Sequence, residues 1–359
     1  MAGLIPVFPR LHLGGPLILA IFVPGLLFQA AITLDRGELR RHLLPIGLLA
    51  SVGVAATVVT VGALTHLVLG LSWSAGMLLG AILAATDPIA VVSLLRRVSA
   101  PAGVAALLEG ESLFNDGTGV AAFAAILGSI VAGKLEAGEV VLRFLVLTLG
   151  GIGAGLLVGL AGRLALRFLS RPIVRFLITV SAAYLSYQAA NSAGGSGVVA
   201  TVTAGIVMAT ASTRLLRHWD PVSVTLNAVL FVILGLQFPT SEVIRLGWLV
   251  PAAFGVMLLS RLLPVYGLLQ AADPRVAWIP WNWRHLVFWS GMRGGLSIAL
   301  ALSLIGLGAV DARVAPTAYG VVVLSLLVQG GLLWPVASLL GLSGSGPPSR
   351  GEQPTPGPR

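Results

Sequence analysis

The sequence predicts an all-α polytopic membrane protein with about eleven transmembrane helices. Three observations carry this. Of its 359 residues, 57% are hydrophobic and only 10% are charged, against about 25% charged in a soluble domain. The mean hydropathy is +0.97. Apolar runs of about 20 residues, enough to cross a bilayer as a helix, recur along the whole chain. They lie near 13–34, 43–69, 73–95, 104–132, 140–168, 173–191, 195–212, 222–239, 247–271, 285–307 and 315–341.

The flanking segments fit that plan. The first ten residues hold one Arg and two Pro, and the run that follows is long enough to span, so no cleavable signal peptide is expected. The tail 343–359 is Gly, Pro and Ser with few apolar groups, the composition of a disordered segment. There are no cysteines, which excludes disulfides and thiolate metal sites. The net charge of +9 does not point to nucleic acid, because the arginines fall in the short connections between apolar runs. Connections after odd-numbered runs, with the tail, carry fifteen basic residues: Arg36, Arg40, Arg41, Arg96, Arg97, Arg163, Arg167, Arg171, Arg175, Arg214, Arg217, Arg275, Arg284, Arg350 and Arg359. The other side carries five: Arg10, Lys134, Arg143, Arg245 and Arg313. The bias predicts an outside N-terminus and a cytoplasmic C-terminus in the cell (inner) membrane. Trp278, Trp281, Trp283 and Trp289 read as an interfacial aromatic belt.

Against this apolar background the polar residues stand out. The third run contains ATDPIAV at 85–91. Pro88 lacks an amide proton and disfavours helix at Asp87, so a break is expected there. A mid-membrane break frees backbone groups and creates two half-helix ends with opposed dipoles. Thr86 offers a hydroxyl and a carbonyl to a cation. Asp87 reads either as the cap of a Pro kink or as part of the site. The fourth run opens with EGESLFND at 109–116. A charge at mid-bilayer costs about 2.5–3.5 kcal/mol on insertion scales, so such a cluster must face water, a counter-charge or an ion. At 100° per residue, Ser112, Asn115, Asp116 and Gly119 share one face, with Glu111 turned away. Asp116 is the expected exchanging group: a carboxylate in a partly dehydrated cavity can hold either a proton or a hard cation. Glu109 reads as a solvated helix start near the membrane face.

The tenth run contains WSGMRGGLSIAL at 289–300, where three glycines weaken the helix around Arg293. An intramembrane Arg needs a partner, and Glu111 is the expected one. Arg261, in the ninth run, reads as snorkelling from a helix end. Gly151, Gly155 and Gly159 at four-residue spacing predict close helix packing. The sixth run is unusually polar (Ser181, Tyr184, Ser186, Tyr187, Gln188, Asn191) and reads either as the lining of a water-filled funnel or as interhelical hydrogen bonding.

TDP at 86–88, EGESLFNDG at 109–117, SGVVATVTAG at 196–205, LFVILGLQFP at 230–239 and GMRGGLSIALAL at 291–302 together resemble sodium/proton antiporters of the NhaP/NHE type. The resemblance runs from about 16 to 341 and implies an inverted-repeat fold whose two broken helices, near 86–88 and 291–295, cross at mid-membrane. It implies a core bundle (approximately 43–132 and 247–341), scaffold or dimerisation helices (13–34 and 173–239) and a linking helix (140–168). It implies a homodimeric, electroneutral exchanger of sodium, lithium or potassium for protons, serving pH homeostasis, with no cofactor. Asp116 would bind cation and proton in competition. Ser112 and the Thr86 carbonyl would be further ligands, Asn115 the neutral neighbour, and Glu111 the partner of Arg293. The chain departs from the pattern twice. The ND motif falls in the fourth run rather than the sixth, so the first two family helices have no counterpart here, through either a real truncation or a misassigned start. Gln29, in LLFQAAITL, stands where family members commonly carry a carboxylate. Two other classes share some features. An intramembrane aspartyl protease could use Asp87 and Asp116, but the GxGD pattern is missing. A passive cation channel could use the same scaffold.

Overall fold

The computed structural model describes residues 13–87, 102–133, 135–209, 213–268 and 281–342, without the side chains of residue 102 and of 213–217. Pro88, Arg96, Arg97, Arg275, Trp278 and the tail 343–359 therefore lie outside the described residues.

The expected apolar runs are largely helical over their described residues. In chain order the helices are α1 (Gly15–Thr33), the short α2 (Arg36–Arg41), α3 (Leu43–Leu69), α4 (Trp73–Ile82), α5 (Ala102–Val131), α6 (Ala137–Ala165), α7 (Pro172–Ser192), α8 (Gly197–Met208), α9 (Thr213–Leu236), the short α10 (Thr240–Leu246), α11 (Leu249–Leu268), α12 (Trp281–Trp289), α13 (Gly295–Leu302) and α14 (Val314–Leu339). Among the described residues, eight are long and apolar enough to cross a membrane. The exceptions carry the architecture. The 10-residue α4, the 9-residue α12 and the 8-residue α13 each rise only about 12–15 Å, half the hydrocarbon thickness. Among the described residues, the third run leaves helix after Ile82, and the tenth is interrupted between Trp289 and Gly295.

Local chemistry sets several boundaries. Asp35 accepts from the amides of Gly37 and Glu38 and starts α2. The Ser72 hydroxyl accepts from Ala75 N–H and starts α4. Gly70, at φ 63°, ends α3 in the left-handed conformation that a glycine adopts without strain. Arginines at the basic end cap helix carboxyl termini: Arg36 donates to the carbonyls of Ile206 and Val207 at the end of α8, and Arg175 to those of Leu166 and Leu169 beyond α6. These cations meet the negative ends of the dipoles.

The small-residue stripe of α6 packs on α8 as its spacing predicts. A Cβ at Gly151 would meet the Ser196 carbonyl and Val199, and one at Gly159 would meet Ala204 and Val207. The polar residues of α7 resolve the open alternative in favour of helix contacts. Tyr184 donates to the Ile21 carbonyl at 2.7 Å, Ser186 bonds within its own helix, and Asn191 accepts from Gly197 N–H. The central cavity described below has no lining residue from α7.

Gly155→Val should test the α6–α8 contact, because its Cβ would run into the Ala200 carbonyl and Thr203. A loss of about 1–3 kcal/mol is expected. Thermal unfolding in detergent reads it, and an unchanged midpoint would mean the helices separate more freely than described.

Candidate ion-exchange site

After Ile82 the chain leaves helix and runs through Leu83–Asp87. After Trp289 it does the same through Ser290–Gly294 before re-entering helix at Gly295. The two breaks cross and satisfy each other. Asp87 N–H donates to the Met292 carbonyl at 2.8 Å. The Arg293 guanidinium donates to the carbonyls of Ala84 and Ala85, both at 3.1 Å. Ser297 donates to the Ile82 carbonyl at 2.8 Å. Gly294 is required here, since a Cβ would overlap the Asp87 side chain. Asp87 therefore sits against the N-terminus of α13, where the helix dipole favours a negative charge.

α5 passes beside the first break and presents two separate stripes to it. One stripe is Glu109, Ser112 and Asp116, spaced i, i+3, i+7. Ser112 donates to the Thr86 carbonyl in a short hydrogen bond, and Thr86 N–H is directed at the Asp116 carboxylate. All three line a cavity of about 510 Å³, together with Gln29, Thr86 and Asp87. Ser223, Asn227 and Thr33 add neutral oxygens to the same wall. Among the described residues, the lining holds three carboxylates and no basic side chain. It reaches helix ends that lead into arginine-bearing connections, at Thr33 and Leu34. At the opposite end of α1, Gly15 packs on Ala299 and Ser303 too closely to admit a Cβ.

The second stripe is Leu108, Glu111 and Asn115, and here the geometry corrects the sequence reading. Glu111 pairs with Arg261, not Arg293: Arg261 Nη1 lies 3.1 Å from Glu111 Oε1, and both side chains are buried. Arg261 also donates to the carbonyls of Val287 and Phe288, at the end of α12. It does not snorkel. The Arg261 side chain lies against Gly291 of the second break and reaches Glu111, while carbonyls of the first break take up Nη1 of Arg293. Asn115 is likewise off the cavity. It is buried and directs its amide at Glu111 Oε1, 3.4 Å away, because i, i+4 spacing places it on the Glu111 stripe. Glu109 is corrected in the other direction. It lines the cavity two helical turns, about 10 Å, from Asp116. A pinched cavity of about 10 Å³ separates the Glu111–Arg261 pair from Thr86 and Asp87.

Of the expected aromatic belt, Trp281 is exposed, but Trp289 donates its indole N–H to the Gln329 carbonyl at the second break. Arg261 was misread in the sequence, and Ser325 and Gln329 went unread. Arg261 carried a signal, since an Arg inside an apolar run demands a buried partner. Ser325 and Gln329, four apart in an otherwise apolar run, carried a weaker one.

Membrane-length helices around two crossed mid-bundle breaks, with carboxylates on one of them, define a membrane protein of the broken-helix, inverted-repeat class. The chain belongs to the sodium/hydrogen exchanger family: the profile described as sodium/hydrogen exchanger, transmembrane, matches residues 9–339. It is 34% identical over 347 residues to the Na(+)/H(+) antiporter ApNhaP of Aphanothece halophytica, covering 93% of this chain and 66% of that protein. It is 33% identical to the Na(+)/H(+) antiporter NhaP of Pseudomonas aeruginosa, covering 86% and 77%. The chain thus spans about two thirds of the length of ApNhaP. Its fold matches the sodium proton antiporter MjNhaP1 of Methanocaldococcus jannaschii with a TM-score of 0.74 at 22% identity, over 92% of this chain and 85% of that one.

Arg261→Met should cost about 3–5 kcal/mol by stranding the Glu111 charge. Adding Glu111→Gln should recover much of that. A thermal-unfolding double-mutant cycle measures the coupling. A stronger coupling of Glu111 to Arg293 than to Arg261 would overturn the pairing.

Proposed function

We propose that the chain is a secondary antiporter exchanging a cytoplasmic monovalent cation for an external proton. The observation that carries this reading is Asp116 in the cavity wall, facing Thr86 N–H beside the Thr86 carbonyl and Ser112 hydroxyl. A carboxylate with a carbonyl and a hydroxyl beside it is an oxygen donor set suited to a hard monovalent cation. The same carboxylate can take a proton instead. Loaded with either, Asp116 is neutral and can cross the low-dielectric barrier. Empty, it is a bare charge and costly to move. That difference couples the two fluxes. Asp87, held by the Met292 carbonyl and the N-terminus of α13, keeps the break and its carbonyls in place.

The names of the relatives support sodium as the cation. Gln29 on the cavity wall offers an amide oxygen without charge, so affinity and the order among sodium, lithium and potassium should follow from neutral ligands there. We further propose an inner-membrane location with the N-terminus outside. The arginine bias supports it, and on the arginine-poor side Arg143 and Arg313 are neutralised by Glu139 and Asp311. On that orientation the cavity is open to the cytoplasm. The core would comprise 43–132 and 247–341, moving against scaffold helices 13–34 and 173–239 joined by 140–168, in a homodimer.

Purified protein in liposomes should dissipate a pH gradient on addition of sodium. Asp116→Asn should abolish exchange with folding and insertion intact; exchange retained in that variant would sink the assignment. Lowering pH on the cavity side should inhibit, and raising sodium should relieve the inhibition, because both ions compete for one carboxylate. Inhibition that high sodium leaves unchanged would place the proton elsewhere. Sodium flux without coupled proton movement would instead indicate a channel.

A further inference from the structure

The second half of the chain repeats the element order of the first: a long helix, an interrupted helix, a long helix. In the first half these are α3, α4 with its break, and α5. In the second they are α11, α12 and α13 around their break, and α14. Each break is met by a serine and, four residues later, a second polar side chain on the long helix that follows. On α5 these are Ser112 and Asp116. On α14 they are Ser325 and Gln329.

The second pair makes a closed set of hydrogen bonds. Arg293 N–H donates to Ser325 Oγ at 3.0 Å, and Ser325 Oγ donates to Gln329 Oε1 at 2.8 Å. Gln329 Nε2 donates to the Trp289 carbonyl at 3.0 Å, and the Trp289 indole returns a bond to the Gln329 carbonyl at 3.0 Å. Both side chains are fully buried. They sit on a π-helical stretch, Ser325–Gly330, inside an otherwise α-helical span; such widened turns are rare and recur at functional sites. The two backbone groups they satisfy, Trp289 C=O and Arg293 N–H, flank the second break. Buried away from water, neither could be left unpaired cheaply.

We infer that Ser325 and Gln329 are positioning residues for the exchange site, the neutral and permanently filled counterpart of Ser112 and Asp116. By fixing both ends of the second break they fix the Met292 carbonyl and the Arg293 guanidinium. Those two groups hold Asp87 N–H and the carbonyls of Ala84 and Ala85, and so set Thr86 with its N–H toward Asp116 and its carbonyl against Ser112. The inference rests on the antiport reading above and adds a specificity role to it: α14 tunes cation affinity without touching the cation.

The test is exchange by the full chain in liposomes, with KM for sodium and for lithium, Vmax and the unfolding midpoint measured together. Gln329→Met keeps the bulk and removes both side-chain bonds. It should raise KM for sodium by about tenfold and change the sodium-to-lithium KM ratio. Gln329→Glu, when protonated, can accept from Ser325 and donate to the Trp289 carbonyl. It should restore the wild-type KM at low pH and lose it as the carboxyl ionises. Wild-type KM values and pH profile in Gln329→Met, with only a lowered midpoint, would overturn the inference and leave a structural clamp. Should Gln329→Met fail to fold, Ser325→Ala removes a single oxygen and decides the matter in the same way. Exchange surviving in Asp116→Asn would sink the antiport reading. Unchanged KM values in the α14 variants, beside a dead Asp116→Asn, would sink this inference alone.

Discussion

The hydrogen bond from Asp87 N–H to the Met292 carbonyl is the contact on which the rest of the molecule depends. A helix cannot be broken inside a bilayer unless its freed backbone groups find partners within the protein. Here two breaks meet, and each supplies partners for the other. Arg293 reaches across to two carbonyls of the first break, and Ser297 to a third. Further groups at and beside the second break are met by Arg261 from α11, which takes the Val287 and Phe288 carbonyls, and by Ser325 and Gln329 from α14. Removing any one of these leaves a buried polar group exposed to no water.

This arrangement separates the charges by task. Glu111 and Arg261 neutralise each other in the interior and bind α5 to the end of α12 through α11. Arg293 joins the two breaks. Asp87 lies on a helix N-terminus. That leaves Asp116, with Glu109 on the same stripe, facing the cavity. Among the described residues, the cavity wall carries carboxylates and no base, although the chain as a whole is strongly basic. Field lines in a low-dielectric cleft of one sign concentrate counter-ions. The cavity can therefore favour cations while the surrounding connections carry the opposite charge.

On the proposed reading, the repeat gives its halves different tasks: one binds the ion and the other holds the site in place. The same spacing of serine and polar residue faces each break, but only α5 has a carboxylate in the second position. On α14 the side-chain amide fills both hydrogen-bonding roles by itself. A site whose ligands are already satisfied has no affinity left for an ion, and it becomes a fixed reference against which the other can work.

Sequence alone determined a good deal of this protein. The order of the apolar runs, the interruption at Thr86–Asp87, the glycine-weakened segment around Arg293, and Asp116 as the carboxylate facing a cavity all follow from hydropathy and helical spacing. Those are local properties, set by residues within a few turns of each other. The partners of the buried charges were not legible. Helical periodicity allowed Asn115 and Asp116 to share a face, and only the packing of α5 split them into a cavity stripe and a Glu111 stripe. Nothing local distinguished Arg261 from Arg293 as the partner of Glu111. That choice is made by which guanidinium the crossed breaks leave free. The aim of a side chain within a membrane bundle depends on helix rotation and on backbone groups contributed from 200 residues away, and only the tertiary structure decided it.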